Sequence, residues 1–236
     1  MTTEGPSAVD RELAPVIQES TPMMIAARIR EAIASGMIPP GAQIGEAEFA
    51  RQLAVSRGPL REGLQRLAQE GLVVAVRNRG HFVIEMTPEN VRDMYVARAA
   101  VERAAAARAH ELDPRATSNV LLESVAAMKS AAGRGDEGGV STADIGFHRD
   151  LVRSAKSPRL TRMHETLMTE TRMCIHALTP TYALGSIRVT EHRQIAKSFT
   201  QGDPALTDRL LARHMDDALV RLGAVAGSEQ RGGPAR

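Results

Sequence analysis

The sequence predicts a mainly α-helical protein of two domains. Ala, Leu, Val, Met and Ile supply most of an apolar fraction of 43%, whereas aromatic residues make up 3% of the 236 residues. This mixture favours helices over sandwiches and barrels, which use β-branched and aromatic residues. Only one short stretch has the pattern of strands, and the length suits two domains with separate cores.

The first part of the chain predicts an arm and three helices. Residues 1–19 mix Gly, Pro, Ser and charges without a clear period and are expected to form a flexible arm. Apolar residues then recur at helical spacing, and Ser56 and Pro59 are typical of the start of the third helix. The predicted helices span Pro22–Ser35, about Glu46–Leu53, and Arg57–Glu70.

A β-hairpin is predicted directly after the third helix. Two short apolar runs, Leu72–Arg77 and His81–Glu85, surround Asn78-Arg79-Gly80, which suits a hairpin loop. Three helices and a hairpin within about 65 residues indicate a winged helix-turn-helix unit. We therefore expect a DNA-binding domain over residues 20–86.

The remaining sequence pattern predicts an all-α bundle of six helices over residues 87–223. Thr87-Pro88 suits a helix start, because Thr can cap and Pro fits the first turn. Gly133–Gly139 is expected to be a flexible loop within the bundle, and residues 224–236 a disordered tail. The predicted breaks are Asp113-Pro114, Gly133–Gly139, Ser157-Pro158, Pro180–Gly185 and Asp203-Pro204.

Positive charge is concentrated in the predicted winged unit. The chain has a net charge of +2, with 27 of its 30 basic residues being Arg, yet the window Arg51–Phe82 alone carries +4. Arg57 and Arg61 are four residues apart on the third helix and can both face a major groove. Each Arg taken singly is better explained as a solvated surface charge, so the argument depends on the grouping of these residues in one unit.

These residues closely resemble the DNA-binding domain of the GntR family of regulators. The resemblance covers Gly41–Val73, including Leu-Ala-Val-Ser-Arg-Gly-Pro-Leu-Arg-Glu, and then Arg79-Gly-His-Phe-Val. It implies that Arg57 and Arg61 contact bases, that Ser56 caps the helix and contacts a phosphate, and that Gly80 is the glycine of the wing. Independently of the resemblance, Arg79 lies with Gly80 at the hairpin tip and can approach the DNA backbone or minor groove, because glycine adds no side-chain bulk there. Gly63 departs from the usual Ala, at an expected cost of about 1 kcal/mol in helix stability.

Four residues of the second domain form a candidate metal-binding set. Asp144 and His148 are four apart on one helix, and His192 and His214 lie on later helices. Three imidazoles and a carboxylate suit zinc, nickel, manganese, cobalt or iron. From spacing alone this is a weak signal, because a single His on a helix is usually a surface residue or a hydrogen-bonded core residue. We interpret the other four histidines in that way: His81, His110, His164 and His176.

Residues 88–222 resemble the FCD effector domain that accompanies this type of winged helix. The resemblance implies a divalent metal held by Asp144, His148, His192 and His214, with zinc or nickel ahead of manganese, cobalt and iron. It also implies a small carboxylate effector beside the metal, which Arg98 could bind through two hydrogen bonds. The alternative for Arg98 is an exposed position on an Ala-rich helix.

The sequence therefore predicts a ligand-responsive transcriptional regulator, with repression the commoner family behaviour. It would bind a pseudo-palindromic double-stranded DNA operator as a homodimer. Two alternatives are a metal-dependent hydrolase and a DNA-binding protein whose metal is purely structural. The chain lacks the pattern of a secretory signal or membrane helix, so we expect a cytoplasmic protein without a membrane partner. The single Cys174 is expected to be a core residue, with no disulfide possible within the chain.

Overall fold

The computed structural model describes residues 20–178 and 185–229, and within these ranges it contains nine α-helices and one three-stranded sheet. The mainly helical fold class is thereby confirmed. The predicted arm 1–19 and residues 180–184 of the predicted break Pro180–Gly185 lie outside the described residues. The helices are α1 Thr21–Ala34, α2 Glu46–Gln52, α3 Arg57–Gln69, α4 Pro88–Leu112, α5 Pro114–Gly133, α6 Glu137–Ser154, α7 Pro158–Leu178, α8 Gly185–Ser198 and α9 Pro204–Glu229.

The N-terminal unit packs α1, α2 and α3 against a small antiparallel sheet. Its strands are β1 Gln43–Ile44, β2 Val73–Val76 and β3 Gly80–Val83, in the order β1-β3-β2. The hairpin was predicted, but β1 was not, because two residues are too short to show an alternating pattern. Ile44 of β1 is buried beside the helices, and β1 pairs with β3 through Gln43 opposite Phe82.

Helix α3 has one apolar face, on which Leu60, Leu64 and Leu67 are fully buried. Gly63 lies on the same side, and a Cβ atom there would be 3.0 Å from Ile25 Cγ2 and 3.1 Å from the Pro22 carbonyl oxygen of α1. The sequence had suggested only a cost in helix stability at Gly63. The structure adds that glycine allows α1 to approach α3 closely.

The C-terminal unit is a bundle of the six helices α4 to α9, as the sequence predicted. Asp113 caps α5 and Asp203 caps α9, accepting hydrogen bonds from the amides of Ala116 (2.9 Å) and Leu206 (3.0 Å). Two expectations need correction. The loop predicted at Gly133–Gly139 is shorter, because Asp136 caps a helix that starts at Glu137. Helix α9 also continues to Glu229, through residues expected to belong to a disordered tail.

One bundle helix contributes to the core of the N-terminal unit. Met173 of α7 is 1% exposed and packs with the Ile and Leu residues of α1 and α3. Within residues 20–178 and 185–229, α7 is the bundle helix with extensive contacts to α1. The two units are therefore joined by packing as well as by the chain that connects β3 to α4.

Candidate metal centre and nucleic-acid interface

Three histidines from three helices converge inside the bundle. Helix α6 carries His148, α8 carries His192 and α9 carries His214. The Nε2 atom of His148 lies 3.2 Å from that of His192 and 3.3 Å from that of His214. Asp144, one turn before His148, places Oδ1 3.2 Å from His192 Nε2. The four residues singled out in the sequence are thus brought to one point.

The outer ring nitrogen of each histidine has its own acceptor. His148 Nδ1 lies 2.7 Å from Glu102 Oε2, and His214 Nδ1 lies 2.9 Å from Glu191 Oε2. His192 Nδ1 lies 2.8 Å from the carbonyl oxygen of Arg188, one turn earlier on α8. Acceptors at these positions place the proton on Nδ1 and leave the Nε2 lone pair directed inward.

Burial keeps two of these imidazoles neutral. His148 and His192 are 0% exposed, and Phe147 packs edge-on against both rings. Desolvation lowers the pKa of His148 to about 4 and that of His192 to about 3. Burial alone would raise the pKa of Asp144, but the positive charges that His192 and His148 carry when protonated at low pH bring it below its ordinary value. Neutral imidazoles and an ionised carboxylate are the forms that bind a metal.

Arg98 lies in the interior, which rules out the exposed alternative. It is 2% exposed, and its Nε donates to Glu102 Oε1 at 2.7 Å. The guanidinium lies over the ring of Tyr95, while its Nη2 atom is buried without a hydrogen-bond partner among the described residues. A buried donor without a partner costs free energy, so this nitrogen marks a place for an acceptor.

Glu102 connects the groups around the site. Oε2 of this fully buried carboxylate bonds His148, while Oε1 lies 2.7 Å from Arg98 Nε and 3.0 Å from His164 Nε2. Burial would raise the pKa of Glu102, but His148 and Arg98 hold it well below the ordinary value. Sequence reasoning missed this residue because it lies 46 or more positions from the three histidines of the site, with no motif linking it to them. It also missed Glu191, whose pKa falls to about 2, because hydrogen bonds from His214 and Arg221 outweigh burial.

The residues present fit a divalent transition metal. Three buried Nε2 atoms lie within 4.8 Å of one another and could hold such an ion. Asp144 adds a hard oxygen donor, and the three outer acceptors hold the rings in the required orientation. His164 is a hydrogen-bonded core histidine, consistent with its interpretation from the sequence.

The predicted DNA-contacting residues of α3 lie on the surface. Ser56 occupies the N-cap position of α3, but its side chain makes no capping hydrogen bond, contrary to expectation. Arg57, next to it, is exposed. Arg61 is 63% exposed and donates from Nε to Glu46 of α2 at 2.7 Å. The ion pair with Glu46 of α2 therefore holds Arg61 close to the N-terminus of α3, where Ser56 makes no capping hydrogen bond.

The wing presents a second group of exposed arginines. Gly80 has φ +93°, a conformation that side chains rarely adopt, and it begins β3 at the hairpin. The guanidinium of Arg79 lies over the ring of Phe82. Within the described ranges, Arg57, Arg77 and Arg79 make no ion pair, whereas Arg61 has one. Arg77 was not among the site residues predicted from the sequence, but it is exposed like Arg79 and could equally contact a phosphate.

Comparison with known proteins places this architecture in a defined class, that of bacterial transcriptional regulators. Residues 22–83 match the description "Bacterial regulatory proteins, gntR family", and residues 93–217 match the FCD domain. The chain belongs to the GntR family, in the branch that carries an FCD domain.

Relatives and solved structures agree with this assignment. A protein named "Probable D-xylose utilization operon transcriptional repressor", from Paenarthrobacter nicotinovorans, is 31% identical over 78% of this chain and 80% of its own length. An HTH-type transcriptional regulator from Agrobacterium vitis is 37% identical over 54% of this chain and 76% of its own. A GntR transcriptional regulator structure from Rhodococcus sp. RHA1 has a TM-score of 0.72 at 28% identity, covering 86% of this chain and 97% of that one.

The chain is accordingly a DNA-binding transcriptional regulator rather than an enzyme, and the hydrolase alternative is set aside. None of the helices in 20–178 and 185–229 is long and apolar enough to cross a membrane.

Proposed function

We propose that this regulator is a repressor that senses a small carboxylate at a metal site in its FCD domain. The observation that carries the proposal is the convergence of His148, His192 and His214, each fixed by an acceptor on its Nδ1 atom. Together with Asp144 they would hold a divalent metal, zinc or nickel ahead of manganese, cobalt and iron. When bound, such an ion supplies a Lewis-acidic centre to which an oxygen ligand can add.

The recognition of a carboxylate is assigned to Arg98. Its buried Nη2 has no hydrogen-bond partner in the described part of the chain, whereas Nε already donates to Glu102. A carboxylate oxygen accepting from Nη2 would remove the cost of that unsatisfied donor. The same small acid can direct its other end to the metal, so one ligand would engage both groups.

The DNA-binding surface is assigned to the start of α3 and the tip of the wing. Arg57 and Arg61 would contact bases in the major groove, and Ser56 would contact a phosphate at the helix N-terminus, where its hydroxyl caps nothing within α3. Arg79 and Gly80 would approach the DNA backbone or minor groove. A homodimer would place two copies of α3 on half-sites about one helical turn apart.

The effector claim is tested by thermal shift on protein loaded with one equivalent of zinc. Small mono- and dicarboxylic acids should raise the melting temperature of the wild type, and Arg98→Met should abolish the shift while elemental analysis shows the zinc retained. Arg108→Met, at an exposed position on the same helix α4, is the matched control and should respond like the wild type.

A purely structural metal gives a different result. In that case zinc raises the melting temperature, but no acid adds to the effect in any variant. That outcome would contradict the sensing proposal and leave the DNA-binding assignment intact.

A further inference from the structure

Helix α7 is in contact with both the surroundings of the histidine site and the core of the DNA-binding unit. We infer that Glu102 and α7 form the connection by which occupancy of the histidine site changes the affinity for DNA. The inference rests on the proposed function, because it concerns the regulation of that same site. It assigns roles to His164, Arg172 and Met173, none of which is among the residues proposed above to contact DNA or to hold the metal.

At the inner end, Glu102 joins the site to α7. One oxygen of its carboxylate is hydrogen-bonded to His148, which belongs to the proposed metal-binding set. The other oxygen is hydrogen-bonded to Arg98 and, at 3.0 Å, to His164. His164 is 2% exposed and lies in the second turn of α7. A change at His148 or Arg98 therefore acts directly on the carboxylate that holds α7.

The Glu102 cluster cannot absorb such a change locally. All four of its members are buried, so a carboxylate oxygen or ring nitrogen that loses its partner finds no water in exchange. Leaving a buried charged group without its partner is strongly unfavourable. A shift of Glu102 is therefore expected to move His164 with it.

At the outer end, α7 is anchored to the DNA-binding unit. Arg172 makes two hydrogen bonds to the Glu31 carboxylate of α1, at 2.8 and 2.7 Å. The next residue, Met173, is 1% exposed within the core that contains α1 and α3. The side chain of His176 lies beside Gly36, where a Cβ would be 3.4 Å from the His176 Cβ.

The two ends are joined by unbroken helix. His164 and Met173 are nine residues apart, which corresponds to about 13.5 Å along a helix axis. A helix transmits a shift or rotation over this distance because its backbone hydrogen bonds resist local deformation. Since α1 packs on α3 through Ile25 and Gly63, a displacement of α1 changes the position of the DNA-contacting helix.

The test compares DNA affinity with and without metal. The probe is a labelled duplex that the zinc-loaded wild type selects from a random-sequence pool, and Kd is measured by fluorescence anisotropy at one fixed salt concentration. Each protein is measured with one equivalent of zinc and again with a chelator. The ratio of the two Kd values is the coupling, which is typically about 5- to 150-fold between linked sites.

Two variants interrupt the connection at opposite ends. His164→Leu removes the hydrogen bond to Glu102 within a similar volume, and Arg172→Ala removes the ion pair with Glu31 at a partly exposed position. Both should bring the coupling to within about twofold of one, and the double variant should show no further loss, because the two residues act in series. Zinc should stay stoichiometric by elemental analysis in all three.

Arg103→Ala is the matched control. It breaks an ion pair of the same type, to Asp208 at 2.6 and 2.7 Å, which joins α4 to α9 and does not involve α7. It should keep the wild-type coupling. Wild-type coupling in both His164→Leu and Arg172→Ala would overturn the connection through α7, as would loss of zinc from His164→Leu. A wild type whose Kd does not respond to zinc would overturn the inference, whereas the proposed function is tested separately by the carboxylate thermal shift.

Discussion

Acidification should destabilise the metal-free protein through two buried histidines. Desolvation holds the pKa of His148 at about 4 and that of His192 at about 3, against 6.5 in an unfolded chain. Between pH 7 and pH 5.5 the unfolded chain therefore takes up protons that the folded chain does not. By linkage, the free energy of unfolding falls as the pH falls through this range.

The size of the loss follows from the fractional protonation. For each unfolded imidazole, the protonated fraction integrated from pH 7 to pH 5.5 is about 0.9. This lowers the free energy of unfolding by about 1.2 kcal/mol, because the folded imidazoles stay neutral over the same range. Two histidines thus lower the free energy of unfolding by about 2.5 kcal/mol. The carboxylates of the site contribute little, because they remain ionised in both states over this range.

Glu170 of α7 opposes this loss. Burial, with a contribution from Asp93, raises the pKa of Glu170 to about 7, against 4.5 unfolded. The folded chain therefore takes up a proton first, which stabilises it as the pH falls, by about 1 kcal/mol after allowance for partial exposure. The wild type should lose about 1.5 kcal/mol, whereas Glu170→Gln, which lacks this compensation, should lose the full 2.5.

Urea unfolding followed by circular dichroism at 222 nm measures both proteins at pH 7.0 and 5.5 with a chelator present. Circular dichroism is suitable because the chain has no tryptophan and only two tyrosines. An unchanged or higher free energy of unfolding at pH 5.5 in Glu170→Gln would refute the reasoning. It would mean that Asp144 and Glu102 stabilise protonated imidazoles more than burial opposes them.

Three further substitutions test the DNA interface, the metal ligands and helix packing. Arg61→Ala should weaken binding to the selected duplex by about 1–3 kcal/mol and relax preference at one base pair; unchanged affinity would remove Arg61 from the interface. His192→Ala should lose stoichiometric metal in elemental analysis while keeping its helical spectrum, whereas the exposed His176→Ala should keep both; full retention by His192→Ala would contradict the ligand set. Gly63→Ala should lower the free energy of unfolding in urea because its methyl group meets α1, whereas Gly58→Ala, with nothing within 4 Å, should not; equal stabilisation in both would show that α1 yields freely.

Local patterns predicted most of the fold. Helix starts at Thr87, Asp113 and Asp203 were evident because a capping side chain and a following Pro act within one turn. The two-residue strand β1 was not predicted, since its stability comes from pairing with β3, whose partner residues are 37 and 39 positions away in sequence. The start of α6 was placed too late because its glycines suggested a loop, whereas Asp136 supplies a cap that outweighs them.

The residues of the candidate site also fall into those that the sequence pattern predicts and those that it does not. Asp144, His148, His192 and His214 were found because metal-binding residue types and family resemblance both indicate them. Their supporting acceptors were not found, since a Glu on an Ala-rich helix such as α4 has no distinguishing pattern. What makes Glu102 special is its burial beside three polar groups, and burial of that kind is a property of the packed bundle.

The same reasoning applies to the boundary between the two domains. In sequence the boundary lies near Thr87, where one pattern ends and a helix cap begins. The packing does not follow this boundary, because Met173 completes a core whose other members come from residues 25–83. A regulator needs its sensing and DNA-binding units to be joined at a place that can respond to the sensor. A side chain that belongs by sequence to one unit and by packing to the other satisfies that need, since neither unit can shift without altering the environment of Met173.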